Sequence, residues 1–353
     1  MSHEQLGAPE PTKKKHRRSL KLLIIVGVVL LLAGGTVGGY AWNLTHKFDD
    51  QTVKIADPFP SDSVRPTAPP PATGPSQAPA AKTTAQNILL LGSDTRGSIG
   101  GSITDISGQR SDTMMIVHIP ADRKHVYVMS IMRDSWLQIP GHGEAKVNAA
   151  LSWGGVPLAV QTVEQLLDTR IDHVAIVDFA SFKEVTDALG GVEVNNPIAF
   201  DSSSQPGRVF PAGAQHLNGT DALAFTRERY AFTDGDFQRV RNQQLVIKAI
   251  MAKVMSKAML ADPFKATSLI DTVTPYLAVD EGLNSGYLTS LAWELRDLRT
   301  NDVTFFTMPT AGVGTSDDGQ SIVNVDWDKL AELKKALATD SMQNFTPEVQ
   351  TIR

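Results

Sequence analysis

The chain has 353 residues, a net charge of −5 and an apolar fraction of 42%, enough for an ordinary core in one large domain with appendages or in two small ones. It contains no cysteine, which excludes disulfides, thiol catalysis and cysteine-based metal sites. Residues 1–21 carry six Lys/Arg against two Glu, so the remainder is distinctly acidic, and an acidic bulk argues against a nucleic-acid binder.

The basic tail at 1–21 runs into LLIIVGVVLLLAGGTVGGYAW at 22–42, which is uncharged and at ~1.5 Å per residue spans roughly 30 Å as a helix. The pattern predicts a single-pass cell-membrane protein. The basic cluster stays cytoplasmic, Tyr40 and Trp42 anchor the interface, and the rest of the chain is extracytoplasmic. A cleaved signal peptide is the competing reading, on the small residues Gly39 and Ala41. Residues 43–85 read as a Pro-rich linker, whose stretch from Asp57 to Ala80 could reach ~75 Å at ~3.1 Å per residue.

A catalytic domain is expected over 86–340, with a short tail at 341–353. NILLLG is a strand followed by a turn with Asp94 and Arg96; RSDTMMIVHI is a second, with Arg110 and Asp112 at its mouth; HVYVMSIMRDSW is a third, ending in Arg133 and Asp134. KVNAALSWGG and VPLAVQTVEQLLD read as helices, Pro157 being allowed in a first turn. DHVAIVDF is a buried strand, SFKEVTDALG a helix closed by Gly190, and GVEVNNP a strand. GTDALAFTR is a short helix that delivers Arg227. Beyond it ADPFKATSLI and NSGYLTSLAWELRDL read as helices, DVTFFTMPT and QSIVNVD as strands, and DWDKLAELKKAL as a closing helix. Strands alternating with helices predict a single mixed α/β domain.

Residues 224–244, AFTRERYAFTDGDFQRVRNQQ, gather Arg227, Arg229, Arg239, Arg241, the carboxylates Asp234 and Asp236 and the polar pair Gln243 and Gln244 in an acidic protein. Arg presents a rigid fork of donors that matches phosphate oxygens, so the group reads as a polyanion grip or, blandly, as a solvated helix start. Asp236 is placed to cap a helix over 237–259, which puts Arg239 and Gln243 on one face beside a positive helix end. Met251, Met255 and Met259 recur at helical spacing, either as core or as a deformable apolar wall. His118 reads as a core histidine rather than a catalyst. The Gly run at 97–101 lacks a P-loop Lys-Ser/Thr, and no G-x-S-x-G is present.

Taken in order, LGSDTR, RSDT, SIMRDSWLQIPG, KVNAALSWGG, DALGGVEV, LNGTDALAFTRER and GDFQRVRNQQ resemble the LytR-CpsA-Psr family of membrane-anchored cell-wall phosphotransferases. The resemblance implies a central sheet flanked by helices with a hydrophobic lipid-binding channel. It also implies transfer of a glycopolymer, such as teichoic acid, from a polyprenyl-diphosphate carrier to peptidoglycan. Arg227, Arg229, Arg239 and Arg133 are then the catalytic clamp, with Gln243, Arg110 and Arg96 as further diphosphate ligands. Asp94 and Asp112 are the pair for Mg²⁺, and either could instead be the base that takes the acceptor proton. Arg96 and Arg110 could equally serve to keep those carboxylates ionised. Met132 stands where the family commonly has Pro, and Asn242 where many members have Arg. The alternatives are a protein acceptor, or a non-catalytic carrier-binding module or regulator.

Overall fold

Alternating apolar side chains along neighbouring segments build the centre of the fold. In the computed structural model, which describes residues 47–67, 84–93, 111–256 and 263–345, β1 (Val53–Lys54) precedes β2 (Gln86–Ser93), β3 (Ser111–Ile119) and β4 (Val126–Ile131). A hairpin of β5 (Trp136–Ile139) and β6 (Gly143–Lys146) leads into α1 (Asn148–Leu167), β7 (His173–Asp178), α2 (Phe179–Ala188) and β8 (Val192–Asn196). The short strands β9 (Phe200–Asp201), β10 (Val209–Phe210) and β11 (Gly213–Leu217) come before α3 (Gly219–Arg227) and α4 (Gly235–Val254). The chain continues through α5 (Pro263–Val273), β12 (Leu277–Val279), α6 (Ser285–Glu294), β13 (Val303–Thr307), β14 (Thr310–Thr315), β15 (Ser321–Val325) and α7 (Trp327–Ala338).

Seven strands form one mixed sheet in the order β1-β12-β7-β2-β3-β4-β13. The pairs β1/β12, β2/β7 and β4/β13 are parallel, and the others antiparallel. Period-two side-chain alternation splits the sheet into two faces. Leu89, Leu91, Met114, Ile116, Met129 and Ile131 pack with α1 and α7. Ile88, Met115, Val126 and Val128 pack on the other side with Ile247, Met251 and Met255 and with Leu288 and Leu291 of α6. Each fully buried aliphatic side chain contributes about 1.5–3 kcal/mol. A smaller core joins β8, β11 and α3 to Leu245 and Val246 of α4. Helix α4 is thus fixed from two sides, and that fixes the direction of its first turns. The expected mixed α/β domain is present.

Three expectations change. Part of the presumed linker is integral to the domain: Val53 pairs with Ala278, Ile55 is 4% exposed in the core, and Arg65 forms a buried ion pair with Glu164 at 2.7 Å. The apolar alternation Val53, Ile55 is brief and precedes a Pro-rich run, so composition masks it. The tail expected from 341 also begins inside the core, where Met342 is 2% exposed and Phe345 packs on Phe306. The two helices expected on either side of Gly154 and Gly155 form α1 across a kink, Gly155 taking φ +64 that only glycine adopts readily.

His118 is a buried core histidine, as expected, but only half satisfied: Nδ1 meets Asn87 Oδ1 at 2.8 Å, whereas Nε2 faces Asp340 at 3.6 Å without a hydrogen bond. Among the described residues no helix is long and apolar enough to cross a membrane, and the span expected at 22–42 lies outside them.

Candidate active site

The site stands where the first turns of α4 meet the end of β4. Asp234, rather than Asp236, precedes the first helical residue. The helix begins earlier than expected because Gly235 lets the backbone lie against the Arg229 carbonyl, where an added Cβ would come within 3.2 Å. Asp236 is consequently inside the first turn. Its carboxylate takes Arg239 at 2.9 Å and reaches Arg229 at 3.7 Å.

A second bracket faces it. After β4 the chain turns through Met132, Arg133 and Asp134, and the Asp134 carboxylate lies 3.5 Å from Arg133 Nε and 3.3 Å from Lys146 Nζ. Hydrogen bonds from Ser135 to the Met132 carbonyl and from Val147 to the Ser135 carbonyl tie the turn to the end of β6. The two carboxylates therefore hold four cations around one space, leaving excess positive charge for an anion.

That space is a cleft of about 550 Å³ bounded by Arg133, Asp134, Lys146, Asn148, Arg229, Tyr230, Phe232, Gly235, Asp236 and Ser321. Its inner end narrows between Thr113 and Met114 of β3, Met132, Arg133, Arg239, Val240 and Gln243. Arg133, Arg229, Arg239 and Gln243, all expected from sequence, are thus brought together. Arg239 and Gln243 are 7% and 5% exposed, so their polar ends act where water is scarce and electrostatic interactions are stronger. Arg227 is exposed at the last residue of α3 and is not among the residues lining this cleft.

The remaining polar residues of α4 serve the scaffold. Gln244 donates to Ser130 Oγ at 2.9 Å and to the Phe306 carbonyl at 3.1 Å, which pins the helix to β4 and β13. Asn242 is fully buried, donating to the Phe225 carbonyl at 3.1 Å and accepting from Gln238 at 2.9 Å. The position at which the resemblance implies a further Arg therefore points inward here. Arg241 does not replace it, being engaged by Asp234 and by Gln238. Met132 fills a small apolar cluster with Val240 and Val323, a use that requires no Pro.

Two contributors are not evident in the sequence. Glu228, 1% exposed, accepts the backbone amides of Arg229, Tyr230 and Ala231 at 3.0, 3.0 and 3.2 Å and that of Ser203 at 2.5 Å, shaping the segment that presents Arg229. Lys146 joins the cleft only because the β5–β6 hairpin returns it beside Asp134. Both lie within the matched blocks KVNAALSWGG and LNGTDALAFTRER, but the sequence assigns neither a role.

Asp94, Arg96 and Arg110 lie outside the described residues, as does the side chain of Asp112. Among the described residues no group of three or more His, Asp or Glu could hold a metal. The strand register nevertheless sets the positions flanking Asp94 and Asp112 together, with Ser93 opposite Ser111 and Gly92 opposite Thr113. Thr113 lines the inner end of the cleft.

Cell wall biosynthesis protein LcpA of Corynebacterium glutamicum is 31% identical over 280 residues, 69% of this chain and 53% of that protein, so the chain spans about half the length of LcpA. A polyisoprenyl-teichoic acid–peptidoglycan teichoic acid transferase, TagU of Bacillus mycoides, is 34% identical over 242 residues, 68% of this chain and 73% of its own length. The solved structure of TagT bound to LI-WTA has a TM-score of 0.59 and 26% identity, covering 82% of this chain and 98% of TagT. The LytR_cpsA_psr family model matches residues 43–339, a span that takes in β1 as well as both carboxylate brackets. By that match this chain belongs to the LytR_cpsA_psr family.

Proposed function

We propose that this protein is a membrane-anchored phosphotransferase that moves a glycopolymer from a polyprenyl-diphosphate carrier to peptidoglycan. The observation that carries the reading is the cleft in which Asp134 and Asp236 hold Arg133, Lys146 and Arg229, with Arg239 on Asp236 in the small pocket that adjoins it. The relatives named above support the cell-wall direction, TagU by its donor and acceptor and TagT by its bound ligand.

In the reaction an acceptor hydroxyl oxygen forms a bond to the phosphorus that carries the glycan. The bond from that phosphorus to the bridging oxygen breaks, and polyprenyl monophosphate leaves with the electron pair. The hydroxyl proton passes to a base, for which Asp94 or Asp112 is the candidate. Charge grows on the leaving phosphate as the bond lengthens, so preorganised donors there lower the barrier. Arg239 and Arg133, held by their carboxylates at the inner end, provide such donors, and Gln243 orients an oxygen. Arg229 closes the outer side, whereas Arg227, exposed at the end of α3, takes no part in the cleft. Arg96 and Arg110 neighbour the acidic pair in sequence and would steady its charge or bind phosphate. Mg²⁺ would be held by Asp94 and Asp112, or by the one of them that is not the base, and would neutralise phosphate charge. The polyprenyl tail would occupy a channel against the apolar face of α4 and α6, near Met251 and Met255. Water in place of the sugar hydroxyl would give a pyrophosphatase side reaction.

The test is turnover by the purified full chain given a polyprenyl-diphosphate-linked saccharide and peptidoglycan. Polyprenyl monophosphate and glycan-bearing peptidoglycan should appear together, stop on chelation and resume with added Mg²⁺. Tight binding of the carrier with no product would leave the non-catalytic module as the correct reading.

A further inference from the structure

The outer chamber of the cleft contains a group that diphosphate binding does not need. Tyr230 is 75% exposed on its wall, an unfavourable place for a large ring, yet the ring is held firmly. The Arg229 guanidinium lies 4.6 Å from the ring centroid, and its Nη2 donates to the Tyr230 hydroxyl at 2.8 Å. Buried Glu228 accepts the Tyr230 amide at 3.0 Å. One face of the ring is therefore covered by a cation, and the exposure leaves the other open. A preordered aromatic face loses little entropy when a ligand settles on it.

The same cleft is lined by Lys146, Asn148 and Ser321, with Phe232 as a second ring. A phosphate would gain from the ammonium but nothing from an open π face. A pyranose uses both: its axial C–H hydrogens carry slight positive charge and lie against the electron-rich ring, while its equatorial hydroxyls meet amide, ammonium and hydroxyl groups at the rim. The inner end of the cleft, with Arg239, Gln243 and apolar Met114, Met132 and Val240, has no such surface.

The geometry points to the outer chamber as a pyranose subsite with Tyr230 as its platform. This rests on the transfer reading above and deepens it, giving a sugar ring a place beside the diphosphate. The ring comes either from the first sugar of the donor or from the acceptor, since both bring the same chemistry to the same distance from the reacting phosphate.

The experiment is calorimetric titration of the full chain in lipid nanodiscs. The probes are farnesyl diphosphate, farnesyl diphosphate carrying one N-acetylglucosamine, and a free peptidoglycan disaccharide added in the presence of farnesyl diphosphate. A stacked ring of this kind strengthens binding roughly three- to tenfold. Tyr230→Ala should erase that gain, and Tyr230→Trp should keep it. Dependence on Tyr230 with the linked sugar assigns the subsite to the donor; dependence with the free disaccharide assigns it to the acceptor. The subsite is overturned if neither sugar depends on Tyr230. It is equally overturned if Tyr230→Ala weakens unsubstituted farnesyl diphosphate by the same factor, since the ring would then serve only to hold Arg229. These are binding readings, so a wild type that binds sugar through Tyr230 but never transfers polymer sinks the transfer reaction alone.

Discussion

Asp236 and Asp134 have the same role on opposite sides of the cleft, each carboxylate fixing two cations that would otherwise repel one another. Arg239 is the more buried end of its bracket, and its planar fork matters as much as its charge. Arg239→Lys should lower kcat roughly 10²-fold with a smaller change in KM, because the lost donor acts mainly as charge develops. Steady-state release of polyprenyl monophosphate measures this, and a fall of under about threefold would assign Arg239 to packing. Glu228→Ala leaves four backbone amides without their acceptor and should destabilise the protein by about 1–3 kcal/mol, read as a lower urea midpoint. The pairing of Arg239 with Gln243 on one face was legible because helical spacing alone determines it. The function of Asp236 was not, since a glycine in front of a helix reads as a stop, whereas Gly235 here permits a close backbone approach. Glu228 and Lys146 act through backbone amides and a distant carboxylate, neither of which leaves a pattern in sequence.

Helices with side-chain caps appear where their sequences place them. Asn218 accepts from Asp221 N–H at the start of α3, and Asn284 from Tyr287 N–H at the start of α6. Short strands were harder to read: β1 and β12 have two and three residues, too few for alternation to register, and they exist because each completes the other's ladder. The segment from Val53 to Arg65 is secured at both ends, by that ladder and by the Arg65–Glu164 pair. Arg65 also donates to the Ile171 carbonyl at 2.5 Å, and Glu164 accepts Ile171 N–H at 2.9 Å. Removing one partner leaves a charge buried alone, so Arg65→Ala should cost about 3–5 kcal/mol. Replacing both with apolar residues of similar volume should recover most of it. Equilibrium denaturation of the single and double variants decides the matter. Equal losses in both would show that the segment is held by something other than the pair.

Across the whole molecule, two carboxylates tie distant parts of the chain together and respond to acid in the same direction. The His118 ring nitrogen 3.6 Å away, outweighing burial and helped by the Ala121 amide, holds Asp340 below its ordinary 3.8. Burial pushes Asp280 up, but bonds from His173 and from the Val174 and Gly282 amides together bring it below 3.8. A depressed carboxylate contributes its full stability above the unfolded value and loses it as pH falls through the folded one. Unfolding free energy should therefore drop as pH is taken below about 4. Asp340→Asn should flatten that slope, since Asn keeps the acceptor for Ala121 N–H and tolerates the left-handed backbone at φ 48. Urea titrations over this range measure it, and an unchanged slope would remove Asp340 from the account. The overall α/β alternation was legible because strands and helices there are long, whereas the domain's true beginning was hidden by composition. Val53 and Arg65 on one side of the proline-rich stretch and Gln86 on the other belong to the same sheet and core, so that stretch joins two parts of one domain instead of leading up to it. Cutting the chain within it would strip the domain of an edge strand and of the partner of buried Glu164, which a truncation chosen on composition alone would overlook.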